Sequence, residues 1–359
     1  MSDKTSVPAV TVIVAAYNCE DYIGECLLSL QEQTFADFEC IVVDDCSTDD
    51  TVDAVRMCME GDDRFALIAL TKNGGPGAAR NAALDRARGE YVMYVDADDR
   101  LAHDGLRKLI ERARVQQLDE LQFNAQSFYE DGAAMQVMSE DFEGRESFED
   151  VATGPELFTF FSDRNQYFSQ GALRMFRREM LEQAGVRFPE GIIHEDALFA
   201  FMAMTVSARS SFLNEPIYLR RQRAGSIMGA RRRSVDSVIG HLTVISCVRM
   251  WVADNAANCD DAFLQAVGRE VGLWSRLVAH DWAELLSDEE RAAITEGLYA
   301  DDRRALFFDI LGAGDAAERA AAEYRDSQTY RLGDMIATVP RKARVRVRAF
   351  KNRRKADGL

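Results

Sequence analysis

Apolar runs alternate with helical patterns near the start of the chain, and this alternation constrains the fold more than any other feature. Val10–Ala16 is a continuous apolar run rich in valine and isoleucine, which is typical of a buried parallel strand. Similar runs at Phe38–Val43, Phe65–Leu70 and Tyr91–Val95 are separated by segments that favour helices. The resulting order β-α-β-α-β-α-β predicts an α/β fold with a mostly parallel, Rossmann-like sheet flanked by helices.

Polar residues follow each of these four predicted strands. Tyr17-Asn18 follow the first strand, Asp44-Asp45 the second, residues 73–77 the third and residues 96–99 the fourth. In open α/β sheets, ligands bind beyond the carboxyl ends of the strands. The sequence therefore predicts a ligand site at this rim of the sheet.

The acidic end of the fourth strand is a candidate metal site. Asp96 and Asp98 point to the same side of a strand. Neighbouring carboxylates repel each other, so that one takes a proton or a cation joins them. Mn²⁺ or Mg²⁺ prefers oxygen ligands and can also bridge the phosphates of a substrate. An acidic turn, or a helix cap before Leu101, would explain the same residues without a metal.

Two further candidates lie at the same rim, and each has two interpretations. One carboxylate of Asp44-Asp45 could accept a hydrogen bond from a base or a ribose hydroxyl, while the other could cap the next helix through Ser47 and Thr48. Arg80 could pair either with a phosphate or with Asp96.

Later in the chain, an acidic pair and a basic segment are further candidates. Glu195-Asp196 open an apolar helix, where a carboxylate could deprotonate a sugar hydroxyl or could simply favour the helix N-terminus. The segment 220–223, with three arginines, is predicted to be a basic loop in which Arg220, Arg221 or Arg223 could close over a diphosphate. A solvated surface is the alternative for this loop.

In order and spacing, these motifs resemble glycosyltransferase family 2, in the bacterial branch that builds surface polysaccharides. The resemblance rests on Val10–Asn18, Ser29–Thr34, Val43–Asp49, Asn73–Asn81 and Gly89–Asp99, and on shorter segments up to Met228. It implies a GT-A fold, a nucleotide-diphosphate sugar donor, in the first instance a UDP-sugar, and an inverting mechanism.

The resemblance also implies roles for single residues. Ala15, Tyr17 and Asp45 would contact the nucleobase and ribose, Asp96 and Asp98 would form the DXD metal and diphosphate site, and Asp196 would deprotonate the acceptor hydroxyl. The chain departs from the family pattern at Ala16, where proline is usual, and at Cys46, where glycine is usual.

The predicted organisation has three parts. A GT-A domain covers 1–230, with a nucleotide-binding half at 8–105 and an acceptor half at 106–230. A C-terminal α-helical region covers 231–335, and a basic tail covers 336–359.

Charge and hydropathy indicate the partners and the location. The net charge of −17 argues against nucleic-acid binding, which needs a basic footprint. The tail is basic and could bind an anionic membrane surface, or be a solvated terminus. No signal peptide and no apolar stretch of about 20 residues are evident, which predicts a cytoplasmic protein, peripheral at the inner face of the plasma membrane. The acceptor would be a glycan or a lipid-linked molecule.

Two other functions remain open at the level of sequence. A sugar-1-phosphate nucleotidyltransferase would need a glycine-rich phosphate loop with a basic residue after the first strand, and Ala15–Glu25 has none. A non-catalytic GT-A scaffold would not need the carboxylates of Asp45, Asp98 and Asp196, which are all present.

Overall fold

A computed structural model describes residues 7–129, 144–222, 235–282 and 286–297. The candidate residue Arg223 and the basic tail lie outside these ranges. The described residues divide into two compact units. The first contains those of 7–191 and 199–222, and the second contains 192–198 and those from 235 onward. The domain limits drawn from sequence stay a prediction.

The first unit contains a sheet of eight strands. They are β1 (Val10–Ala16), β2 (Phe38–Asp44), β3 (Phe65–Ala69), β4 (Tyr91–Asp96), β5 (Arg100–Leu101), β6 (Glu120–Tyr129), β7 (Arg174–Arg177) and β8 (Ser210–Gln222). Their order in the sheet is β3-β2-β1-β4-β7-β6-β8-β5.

The sheet is mixed. The four predicted strands β1 to β4 pair in parallel, as do β6 and β8. The short strand β7 runs antiparallel to both β4 and β6, and β5 runs antiparallel to β8. The predicted α/β fold is confirmed, and β7 joins its two parallel parts.

Helices flank the sheet in the first unit, and further helices follow along the chain in the second unit. They are α1 (Ile23–Gln31), α2 (Thr51–Met59), α3 (Gly75–Leu84), α4 (Gly105–Gln116), α5 (Gly154–Ser162), α6 (Arg178–Ala184), α7 (Glu195–Val206), α8 (Val235–Asn255), α9 (Asp261–His280) and α10 (Asp288–Gly297). A C-terminal helical region is therefore present, as predicted.

The central strands β1, β2 and β4 are buried on both faces of the sheet. Successive side chains of a strand point to opposite faces, so each strand contributes to two cores. On one face, Val12 and Val14 of β1 belong to the same core as Leu27 of α1. On the other face, Ile13 belongs to a core with Ala79 of α3 and Phe199 of α7. This two-sided burial explains why the strand sequences are continuously apolar rather than alternating.

The helix α8 differs from expectation in one respect. Among the described residues, the stretch Val235–Asn258 is long and apolar enough to cross a bilayer by length and composition, and its most apolar window has a mean hydropathy of 1.3. The sequence alone predicts no such stretch. In the structure 44% of the most apolar window is buried, and the core helix of a soluble protein passes the same test.

Candidate active site

The ends of β1, β2 and β4 lie side by side at one rim of the sheet. Ala16 is level with Asp44 in the pairing of β1 with β2, and Ala15 is level with Asp96 in the pairing of β1 with β4. Tyr17 follows β1 directly and is 40% exposed. The strand ends that the sequence singled out therefore converge in space.

Asp45 organises the loop that leads into α3. Its carboxylate accepts hydrogen bonds from the backbone N–H groups of Gly74 at 2.8 Å and Gly75 at 2.7 Å. The Asn73 side chain donates to the Asp45 carbonyl oxygen at 3.0 Å. Asp45 itself is buried. Because a carboxylate oxygen has a second lone pair, these bonds leave room for a further donor from a ligand.

Asp44 and the turn after it hold the adjacent loop. The buried Asp44 accepts from Ser47 N–H at 3.1 Å, which stabilises the turn after β2. The predicted capping of the next helix by Ser47 or Thr48 was wrong, because α2 begins only at Thr51 and its N-cap residue is Asp50. Asn18 accepts from Thr48 N–H at 2.8 Å and has a φ of 47°. Cys46 has a φ of 64°. This left-handed conformation costs a non-glycine residue about 1–2 kcal/mol, which explains why glycine is usual at that position in the family.

Arg80 pairs with Asp96 across the rim. Its Nη2 lies 2.9 Å from Asp96 Oδ1, and its guanidinium lies 5.2 Å from the centre of the Phe188 ring. The Arg80 side chain is only 12% exposed, whereas that of Asp96 is 44% exposed. Of the two interpretations of Arg80, the pairing with Asp96 is present in the structure, and a contact with a phosphate stays a prediction.

Asp99 is the buried carboxyl of the acidic turn. Burial raises the pKa of Asp99 well above its usual range, and the negative charges of Asp96 and Asp98 raise it further. Asp99 accepts from Arg221 N–H at 2.7 Å and also bonds to the Tyr218 hydroxyl, which in turn accepts from Asp96 N–H at 3.0 Å. Asp99 is thus tied into the protein and leaves Asp96 and Asp98 as the candidate metal ligands.

Arg221 holds the same turn from the other side. Its Nε donates to the Asp98 carbonyl oxygen at 2.9 Å, and its Nη2 donates to Glu25 Oε2 at 2.7 Å. The guanidinium lies 4.8 Å from the centre of the Phe128 ring. Arg100 also forms an ion pair with Glu25. Arg221 is therefore a buried support of the acidic turn.

The prediction of a basic loop at 220–223 was wrong for its first three residues. Arg220, Arg221 and Gln222 form the end of β8, because they pair with Ser127, Phe128 and Tyr129 of β6. The buried Arg221 is not placed to close over a ligand. Arg223, the fourth residue, lies outside the described part of the chain.

Sequence reasoning missed the roles of Glu25 and Tyr218. Glu25 lies 196 positions from Arg221, and Tyr218 lies 122 positions from Asp96. No local motif marks either residue, because each acts through a partner brought close only by the fold. For Glu25, the sequence offers one signal, namely an acidic residue in the first turn of the helix that follows the first strand.

The carboxylates of Asp96 and Asp98 have the right chemistry for a hard divalent cation. Within the described residues, no group of three or more histidine, cysteine or acidic side chains is arranged to hold a metal. Asp96 and Asp98 would thus offer a two-residue site of oxygen donors, with positions left for a diphosphate. The Asp96 carboxylate fits such a site, because it is half-exposed and pairs with Arg80 through its Oδ1 atom.

Asp196 lies at the start of α7, in the second unit. It is the second residue of the helix, and its Oδ1 accepts from Ala197 N–H at 2.9 Å. Its neighbour Glu195 is buried. The preceding residue, His194, has a φ of 65°. The carboxylate is thus held at a helix N-terminus, and its role as a base stays a prediction.

Comparisons with known proteins agree on one family. Residues 11–185 match the model of the glycosyl transferase family 2. The chain is 34% identical over 241 residues to the succinoglycan biosynthesis protein ExoO of Rhizobium meliloti strain 1021, covering 65% of this chain and 66% of ExoO. It is 32% identical over 211 residues to the poly(ribitol-phosphate) β-N-acetylglucosaminyltransferase TarS of Staphylococcus aureus strain Mu50, covering 58% of this chain and 34% of TarS.

A solved structure gives the same answer for the fold. The crystal structure of residues 1–349 of S. aureus TarS in complex with UDP-GlcNAc superposes with a TM-score of 0.60 at 23% identity, covering 90% of this chain and 93% of that one. The GT-A fold predicted from the sequence is confirmed by this likeness. The chain thus carries a glycosyl transferase family 2 domain over residues 11–185.

Proposed function

We propose that the chain is an inverting glycosyltransferase acting in cell-surface polysaccharide synthesis. It would move a sugar from a nucleotide-diphosphate donor, in the first instance a UDP-sugar, to a hydroxyl of a glycan or a lipid-linked acceptor. The family domain and the names of ExoO and TarS support this class of reaction. The observation that carries the proposal is the rim where Asp96 ends β4 and Asp98 follows it, level with the ends of β1 and β2.

At the donor end, the rim would hold the nucleoside and its diphosphate. Ala15, Tyr17 and the loop fixed by Asp45 would contact the nucleoside. Asp98, aided by Asp96, would hold Mn²⁺ or Mg²⁺, which when bound neutralises the charge of a departing diphosphate. The TarS structure with UDP-GlcNAc supports a UDP-sugar as the first donor to try.

At the acceptor end, Asp196 would act as the general base. It would remove the proton from the acceptor hydroxyl while that oxygen forms a bond to the sugar C1 carbon. The bond from C1 to the diphosphate oxygen breaks on the opposite face, so the configuration at C1 inverts. The nucleoside diphosphate leaves, and the proton remains on Asp196.

A ligand panel tests the donor half of this proposal. Thermal unfolding would be followed with UDP-, GDP- and dTDP-sugars, each with Mn²⁺ and with a chelator. A true donor at a hundred times its Kd adds about 2.7 kcal/mol of stability, and we expect this only with the metal. Asp98→Asn should remove the stabilisation, whereas Asp53→Asn, at a side chain that is 73% exposed, should keep it.

Turnover tests the catalytic half. We expect Asp196→Asn to lower the rate of UDP release from UDP-GlcNAc by about 10²–10⁴-fold, while donor binding is retained. Undiminished turnover in Asp196→Asn would reject this residue as the base. Absence of any metal-dependent nucleotide binding would point instead to a non-catalytic scaffold.

A further inference from the structure

The short segment 192–196, here called the base segment, lies directly against α8 within the second unit. At Gly240 of α8, a Cβ atom would lie 2.3 Å from the Ile193 carbonyl oxygen and 3.1 Å from its carbonyl carbon. Real Cβ atoms do not approach backbone atoms this closely. Gly240 therefore allows an approach between helix and segment that no other residue permits without moving the backbone.

His194 provides a second contact with the same helix. Its Nε2 lies 2.9 Å from the hydroxyl oxygen of the buried Ser237, and its ring stacks on that of His241 with centroids 3.7 Å apart. Ser237, Gly240 and His241 are spaced i, i+3 and i+4, so they form one face of α8. This face contacts the base segment by a close backbone approach, a hydrogen bond and a ring stack.

The backbone of the base segment adopts a conformation that needs such support. His194 has a φ of 65°, a left-handed value that is unfavourable for a non-glycine residue and persists where the surroundings over-determine it. Its carbonyl oxygen accepts from Ala197 N–H at 3.2 Å, in the first turn of α7. The conformation of His194 thus sets where α7 begins and where Asp196 is held.

We infer that α8 is the positioning element of the catalytic base. Ser237, Gly240 and His241 hold the base segment so that the Asp196 carboxylate is fixed before the acceptor binds. This inference rests on the proposed role of Asp196. It assigns a part of the C-terminal helical region to the transfer reaction itself, as the support of a reacting group.

Three variants of the whole chain test the inference. Gly240→Ala inserts a methyl group into the contact with Ile193. Ser237→Ala removes the hydroxyl that meets His194 without adding bulk. Gly268→Ala is the matched control, because it lies in the interior of α9 with nothing within 4 Å of its Cβ position.

Hydrogen exchange measures the positioning without any need for turnover. In Gly240→Ala we expect the amides of 192–197 to exchange faster by about tenfold or more, with β1 and β2 unchanged. Ser237→Ala should give the same local pattern to a smaller extent. Unchanged exchange in 192–197, or an equal loss of protection in β1 and β2, would overturn the inference.

Steady-state kinetics with UDP-GlcNAc provides the second readout. A displaced base should lower kcat by about tenfold to a hundredfold and leave the donor KM unchanged. A rise in donor KM without a fall in kcat would contradict the positioning role. An Asp196→Asn variant with full turnover would reject the proposed base, and the exchange result would still show whether α8 holds the segment.

Discussion

At the scale of single residues, Arg221 couples three parts of the candidate site. Its side chain bonds to the carbonyl oxygen of Asp98 and to the carboxylate of Glu25, and its backbone N–H bonds to Asp99. The planar guanidinium can make the two side-chain bonds at once because its donors lie in a fixed fork. Arg221 therefore fixes the peptide of Asp98.

Arg221→Lys tests this support. Lysine keeps the charge but cannot reproduce the fork, and the loss of bonds to charged groups should cost about 1.5–3 kcal/mol of stability. Metal-dependent donor binding should weaken by about tenfold, which corresponds to 1.4 kcal/mol. Calorimetric titration and urea unfolding measure the two effects. Arg56→Lys, at an exposed side chain, is the control. Unaltered donor affinity would contradict the support role.

The residues of the rim were predictable to different degrees. Asp45, Asp96 and Asp98 could be singled out because each follows a recognisable strand, and strand ends meet at one edge. Glu25, Tyr218 and the burial of Arg221 could not be, because their contacts span 122 to 196 positions. The binding and catalytic roles themselves stay predictions.

At the scale of elements, β6 and β7 are joined by a buried ion pair. Arg174 of β7 pairs with Glu120 of β6, and both side chains are almost fully buried. Arg174 also donates to the Phe168 carbonyl oxygen at 2.6 Å, and Ser210 of β8 donates to Glu120 at 3.2 Å. Because β7 joins the two parallel parts of the sheet, this pair lies at the junction on which their alignment depends.

Removal of one partner of this ion pair should destabilise the folded protein. We expect Arg174→Ala to lower the free energy of unfolding by about 3–5 kcal/mol, because it leaves the Glu120 carboxylate buried and uncompensated. Arg56→Ala, which breaks the exposed pair with Asp53, should cost less than about 1 kcal/mol. Urea unfolding gives both values. A similar small loss in the two variants would show that the buried pair does not stabilise the junction.

The elements were predictable where the local pattern is strong. The bounds of β1 to β4 agree with the sequence to within about a residue, because each of these strands is dominated by apolar residues and lies between polar segments. By contrast, β8 contains Asn214, Glu215 and Pro216, and proline argues against a central strand. The structure accommodates Pro216 at a register shift next to Asn124, which no local pattern reveals. The strand β7 has only four residues and is too short to predict.

At the scale of the whole molecule, charge is distributed unevenly along the chain. The net charge is −17, yet the stretch 341–355 contains nine basic residues and no acidic one. This stretch lies outside the described residues. Each cation near an anionic membrane contributes about 1 kcal/mol of binding, so the tail could bring an acidic protein to the inner face of the plasma membrane.

Vesicle binding distinguishes membrane attachment through the basic tail from attachment through α8. The full chain should sediment with vesicles that contain phosphatidylglycerol but not with neutral vesicles, and high salt should release it. Deletion of residues 340–359 should abolish this binding. Binding to neutral vesicles that survives the deletion would implicate the apolar α8 instead and would contradict the peripheral location.

The fold and the family were the parts of the whole molecule that the sequence could establish. Both depend on the order of strands and strand-end motifs, which is local information repeated along the chain, and both are confirmed. The donor sugar and the acceptor depend on the shape of a surface that distant segments build together. They remain to be identified by the ligand panel and by turnover.

The loop held by Asp45 has a consequence for how quickly a ligand can be accepted. Its amides at Gly74 and Gly75 are already hydrogen-bonded in the protein alone. A ligand that arrives at this loop meets a surface that does not have to be ordered first, so binding there loses little conformational entropy. Association at this rim should therefore approach a simple bimolecular encounter, with no slow rearrangement of residues 73–75 after it.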